Sequence, residues 1–239
     1  MLVKNMRSYK KAKNSVGLLI RRFGGSFSSM LGINLSKAEP KEVFKWFLAS
    51  ILFGARISET IAINTYRQFE KDDLLDADKI IEAGWDNLVK SLDAGGYVRY
   101  DFKTADKLLE VMKNLKTNYN GNLNLLHDQA SDPRDLEEKI KNLGKGIGDV
   151  TANIFLRELR GIWKNADPLP QELVINAARE LGYIPLRGEN EKERMEILKD
   201  LHEVWIENKV KRRSFIDFEA ALLRYGKNLR RRPNMTLIH

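Results

Sequence analysis

Residues Asn142 to Leu159, NLGKGIGDVTANIFLREL, carry the most specific chemical signal in the chain. Gly144, Gly146 and Gly148 permit positive φ and the close approach of another backbone, and a helix starting after Gly148 would point its unpaired N–H groups back at the turn. Such a turn suits a phosphate, because amides at a helix N-terminus hold a nucleic-acid backbone oxygen without reading its bases. Lys145 adds a point charge on the turn. The same glycine spacing also serves a plain αα-hairpin with glycine caps, so spacing alone leaves both open. Other chemistries find few residues to work with. There is no cysteine, which excludes disulfides, thiolate zinc sites and cysteine-ligated iron–sulfur clusters. The three histidines, His127, His202 and His239, are scattered, which argues against a histidine metal site or a triad.

The elements that must position this turn are helices. Apolar residues recur at helical spacing through most of the chain and alternating runs are nearly absent, so the expected class is all-α. Pro40 opens EVFKWFLASILF, whose all-round apolarity predicts a helix in the middle of a bundle. Ser58 can cap ETIAINTYRQFE; LLDADKIIEAG and WDNLVKSLDAGG follow, the second ended by Gly95 and Gly96. Lys103 to Leu115 is the clearest amphipathic helix, and Ser131-Asp132-Pro133 starts RDLEEKIKNL, the first arm of the hairpin. Beyond the hairpin come the connection WKNADPLP, the helix ELVINAARELGY, a charged helix near 190–207 and FIDFEAALLRYGK.

With 239 residues, 43% of them hydrophobic, the chain can bury the core of one medium domain or two small ones. A net charge of +8 makes polyanions the expected partners, nucleic acid first, although charge alone speaks to association rather than chemistry. Positive charge gathers at Lys4, Arg7, Lys10, Lys11, Lys13, Arg21 and Arg22, and again at Lys209 to Arg213 and Arg230 to Arg232. Packed together the two ends would make one basic face; apart, they are solvated tails. The basic start lacks the apolar run of a signal peptide and no stretch reaches the length of a membrane span. A soluble, cytoplasmic monomer, nucleoid-associated in a prokaryote, is expected.

GIGDVTANIF at 146–155 resembles the G-[VI]-G-x-x-T-A-N hairpin of the helix-hairpin-helix DNA glycosylases related to endonuclease III, adenine glycosylase and alkyladenine glycosylase. FKWFLASILFGARISETIAINTYRQF at 44–69 is similar to that family's first barrel helices and the loop after them, and YDFKTADKLLEVM at 100–112 to the helix two steps before the hairpin. The resemblance implies a six-helix barrel over 40–160 and a second helical domain from 1–39 and 161–239, with lesion-bearing or mismatched duplex DNA in the cleft between. It implies extrusion of the target base and cleavage of its glycosidic bond, assisted by an aspartate shortly after the hairpin. Phosphate would be gripped by Gly144, Lys145, Gly146, Gly148, Val150 and Thr151. No cofactor is implied beyond room for a monovalent cation at the hairpin.

The departures from the pattern sharpen these expectations. Val150 stands where bifunctional members carry a nucleophilic lysine, which implies hydrolysis by water unless Lys145 or another lysine reaches the sugar. The iron–sulfur cysteines are absent. Arg56 sits where some relatives place a glutamine that fills the gap left by the extruded base, a task a planar guanidinium suits, though a turn arginine at the surface reads the same. Counting forward from the hairpin puts the catalytic carboxylate at Asp167, 17 residues after Val150. Counting back from ELVINAARELG lands on Gln171, beside Glu172. Asp167 is the favoured carboxylate and Glu172 the substitute, with Asp167 as a plain turn residue the alternative. If neither serves, the chain is a DNA-binding module without catalysis.

Overall fold

An apolar helix that has no polar face must be surrounded, and EVFKWFLASILF is. In the computed structural model, which describes residues 16–186, 188 and 190–231, helix α3 (Pro40–Phe53) buries nine of its 14 residues. Around it the chain is helical, with α1 (16–23), α2 (Phe27–Met30), α4 (Glu59–Lys71), α5 (Ala77–Ala94), α6 (Asp101–Tyr119) and α7 (Leu123–Asp128). Then come α8 (Pro133–Lys141), α9 (Asp149–Arg157), α10 (Glu172–Glu180), α11 (Glu191–Glu207) and α12 (Phe215–Arg231). The described residues contain no strand, only an isolated bridge between Arg160 and Trp163. The basic residues at positions 4 to 13, Arg232 and His239 lie outside the described residues.

The chain forms two compact units, Leu31–Pro168 and a second from Met1–Met30 with Leu169–His239. In the first, local signals start the helices: Pro40 opens α3, the Ser58 hydroxyl accepts from the Ile61 amide, and Asp76 and Asn122 cap α5 and α7. The two segments ADKIIEAG and WDNLVKSLDA meet at Gly84, whose φ of 71° breaks the helical path inside α5. Helix α3 packs on α4, α7 and α9. Its buried Trp46 donates Nε1–H to the Phe155 carbonyl at 3.0 Å, and Phe47 meets the Phe155 ring edge-on at 5.1 Å. No described helix is long and apolar enough to cross a membrane.

In the second unit α10 lies against α12 so closely that a Cβ on Gly226 would collide with the Leu173 carbonyl. Phe218 anchors an aromatic group with Tyr183, Trp205 and Phe215. Arg224 donates to the carbonyls of Phe23, at 2.9 Å, and Gly25, at 2.6 Å, and its guanidinium lies 3.9 Å from the Phe27 ring centroid. That ties α12 to the N-terminal segment.

The tightest approach between α3 and α9 is at Gly54, the C-cap of α3, where an added Cβ would press on Thr151 Oγ1 and lie 3.2 Å from Thr151 Cβ. The φ of −74° suits alanine, so the cost is steric only. Gly54→Ala is expected to lower stability by about 1–3 kcal/mol, read as a fall in the denaturant midpoint.

Candidate functional site

Two helices and a tight turn build the hairpin. Asp132 caps α8, accepting from the amides of Asp135, at 2.9 Å, and Arg134, at 2.8 Å, bonds that hold its carboxyl below the ordinary range. The apolar edge of α8, Leu136 and Ile140, is buried. At the feet of the hairpin Lys141 Nζ bridges Glu138, at 2.6 Å, and Asp149, at 2.9 Å, so the end of α8 and the start of α9 are fixed to each other.

The three glycines do three different things. Gly144 is buried against α6, where a Cβ would come 2.6 Å from Val111 Cγ2. Gly146 has φ +91° and is the turn glycine that needs the left-handed region. Gly148 is the N-cap of α9 with φ −109° and ψ −176°, ordinary extended backbone, and a Cβ there would meet open space. So positive φ, open to all three glycines in sequence, is used by Gly146 alone, because the chain reverses at that one residue. No side chain caps α9, and the amides of Asp149, Val150 and Thr151 find no acceptor among the described residues. They are free to meet an anion. Val150 is exposed, an apolar side chain on the first turn, and Thr151 is buried under Gly54. The carbonyls of Leu143 and Gly144 accept from Asn114 Nδ2 and the Ile147 amide, so a cation held by the turn's backbone would have to share them.

Beside the turn is a cavity of about 630 Å³, walled by the turn after α3, the loop before α6, α6 itself and the hairpin. Arg56, exposed in the turn after α3, lies on its rim, as does Lys145, whose backbone amide donates to Glu110 Oε1 at 3.1 Å. Tyr97 and Tyr100 line its aromatic side; Tyr97 is buried and Tyr100 half-buried. Lys107, unremarked in sequence, reaches in from α6, and a Cβ on Gly146 would lie 3.0 Å from its Cε. Burial alone pushes its ammonium below the ordinary lysine range. The signal was there: Lys103, Lys107 and Glu110 recur at four and three residues, one stripe of α6. A polar stripe reads as a solvated face until a second element covers it.

The carboxylate candidates are separated by their surroundings. Asp167 ends the unit that holds the hairpin: its Oδ1 is ion-paired to Nη1 of the buried Arg160, whose Nη2 donates to the Pro168 carbonyl. Arg134 of α8 donates to the Asp167 carbonyl at 3.1 Å, and half of the aspartate side chain stays exposed. Gln171 is the N-cap of α10 and Glu172 its exposed first residue, both in the other unit. The remaining aromatic candidates divide. Trp46 and Trp163 are core, while Trp85 is part-exposed and lies on Phe102 with its Nε1 donating to Asp106 at 3.0 Å. His127 stacks on Trp163 and His202 on Phe215, both packing roles. The described residues contain no cluster of three or more acidic, histidine or cysteine side chains able to hold a metal.

This arrangement of helices recurs in solved structures. The chain is similar to the 3-methyladenine DNA glycosylase of H. pylori, solved with 1,N6-ethenoadenine bound, at TM-score 0.61 and 13% identity over 96% of this chain and 99% of that one. It is also similar to the 8-oxoguanine DNA glycosylase of Thermotoga maritima, at TM-score 0.51 and 18% identity over 93% and 95% of the two chains. No family model and no curated relative matches the sequence. The chain has the all-helical fold of these DNA glycosylases.

The contrast between the hairpin glycines is testable without any ligand. Gly146→Ala places an L side chain in the left-handed region and is expected to cost about 1–2 kcal/mol of stability, whereas Gly148→Ala should leave the denaturant midpoint unchanged. Equal midpoints for the two variants would contradict the turn geometry.

Proposed function

We propose that the protein is a DNA glycosylase that binds duplex DNA as a monomer and releases a damaged or mismatched base by hydrolysis of its glycosidic bond. The observation that supports it is the uncapped N-terminus of α9 behind the Gly146 turn, a phosphate clamp set in a fold shared with glycosylases. Bases inside a duplex keep their glycosidic bonds out of reach, so the nucleotide must leave the stack before it is cleaved. As the base departs, positive charge grows on the sugar. A carboxylate close to that carbon stabilises this transition state more than the ground state, and a water completes the exchange at C1′.

Asp167 is the carboxylate assigned this role. It rides on the hairpin's own unit, Arg160 holds one of its oxygens, and Oδ2 has no partner among the described residues. A guanidinium that fixes a carboxylate on one side leaves the other oxygen oriented and ionised. Val150, at the position of the family's nucleophile, has no lone pair to offer, so base release falls to water. A second reading, a binding module without catalysis, draws on Gln171, which occupies the N-cap of α10 without a charge.

Duplex affinity should fall steeply with salt, since amides and lysines that replace counterions release them on binding. Against a panel of duplexes each carrying one lesion, the wild type is expected to release at least one base. Asp167→Asn should slow single-turnover release by roughly 100-fold or more, with duplex binding within a few fold, and Glu172→Gln should slow it far less. Wild-type rates in Asp167→Asn would move the role to Glu172; no release from any lesion by the wild type would favour the binding module.

A further inference from the structure

The cavity beside the hairpin holds one group that base hydrolysis does not use. Lys107 Nζ stands in it with no hydrogen bond or ion pair to any described residue, although acidic side chains, Asp106 and Glu110, lie on the same wall. Its stem is laid across the turn, with Cε and Nζ 3.0 and 3.6 Å from where a Gly146 Cβ would be. A half-buried lysine without a counterion is costly to keep charged, and a neutral amine is a nucleophile toward carbonyl carbon. Burial shifts this ammonium in that direction. Lys145, by contrast, is exposed on the rim, and Val150 leaves the first turn of α9 without an amine.

We propose that Lys107 is a catalytic residue of a second activity, an amine that condenses with the ring-opened aldehyde of an abasic site in DNA and cleaves the strand beside it. The inference rests on the reading that the hairpin binds duplex DNA, and it adds a reaction to base release rather than replacing it. An abasic sugar is the carbonyl electrophile that base loss creates in DNA, so the product of the first activity is the substrate of the second. The cavity, about 630 Å³, is of the size that encloses a small ligand, and Arg56 and Lys145 on its rim suit the flanking phosphates.

The chemistry balances within the cavity. Lys107 Nζ adds to C1′, the carbonyl oxygen leaves as water, and a protonated imine forms. Glu110, one turn along α6 and fixed by the Lys145 amide, takes the C2′ proton. The released electron pair forms the C2′–C3′ double bond and breaks the C3′–O bond, expelling the phosphate of the downstream strand. Water then hydrolyses the imine, returning the amine and an unsaturated aldehyde.

The test supplies the abasic site ready-made, by prior removal of uracil from a duplex, so it does not depend on base release by this chain. Incubation of the full-length protein with that duplex and borohydride is expected to give a covalent adduct that peptide mass mapping places on Lys107. Lys107→Arg keeps the charge and should lower the adduct roughly tenfold or more with abasic-duplex binding within a few fold, while Lys145→Ala should retain it. Absence of an adduct with the wild type, or an adduct mapped to any other residue, overturns the proposal. Base release from lesion duplexes, scored separately, shows whether the glycosylase reading stands when this one falls. Mapping on the wild type decides the assignment even if a variant fails to fold.

Discussion

The contact between the buried face of α3 and the second hairpin helix is the constraint from which the rest of the Leu31–Pro168 unit follows. Helix α9 has nine residues, too short to be stable by itself, and its first turn must stay free of caps if it is to meet a ligand. Its stability therefore comes from the side. Trp46 holds the Phe155 carbonyl, Phe47 and Trp163 pack on the Phe155 ring, and Gly54 admits Thr151 at a distance no side chain would allow. With its flank fixed in the core, the helix end can be left bare without fraying. The bare amides and the buried aromatic cluster are two ends of one arrangement.

Helix α6 supplies the opposite support, and does so residue by residue. Val111 receives Gly144, Glu110 accepts from the Lys145 amide, and Lys107 underlies Gly146, so three successive turn residues each rest on a different position of one helix. The turn is thus held by the polar stripe of α6 as well as by its apolar one. That explains how a lysine on an outward-looking face becomes enclosed: the hairpin covers it. Arg160 and Arg134 do a comparable job at the end of the unit, where they gather the backbone around Asp167 and Pro168.

The parts of this structure legible in sequence were those fixed by local chemistry. Pro40, Ser58 and the Ser131-Asp132-Pro133 start are read directly because a cap acts on amides two or three residues away, and the break at Gly84 is visible as two helical segments with a glycine between them. The hairpin was legible as a motif, yet its glycines look alike in sequence. What separates them, Val111 behind one and open space at another, comes from elements dozens of residues away. The short helix α7 and the enclosure of Lys107 were out of reach for the same reason. Two counts placed the carboxylate at Asp167 or at Gln171, and the connection between hairpin and α10 is where spacing loses its meaning, since a loop held by Arg160 obeys no helical period.

The order in which the two units are completed has a consequence for how the chain is made. Leu31–Pro168 is continuous, so every contact within it is available once Pro168 has emerged from the ribosome. The other unit takes both ends of the chain. Phe23 and Gly25 must wait for Arg224, which follows Phe23 by 201 residues. At about 5–20 residues per second that is an interval of roughly 10–40 s. Through it Val16, Leu19 and Ile20, all buried in the finished protein, trail from a segment whose partner helix has not been synthesised. The nascent N-terminal segment is therefore the stretch most in need of a chaperone, even though the domain it brackets folds early.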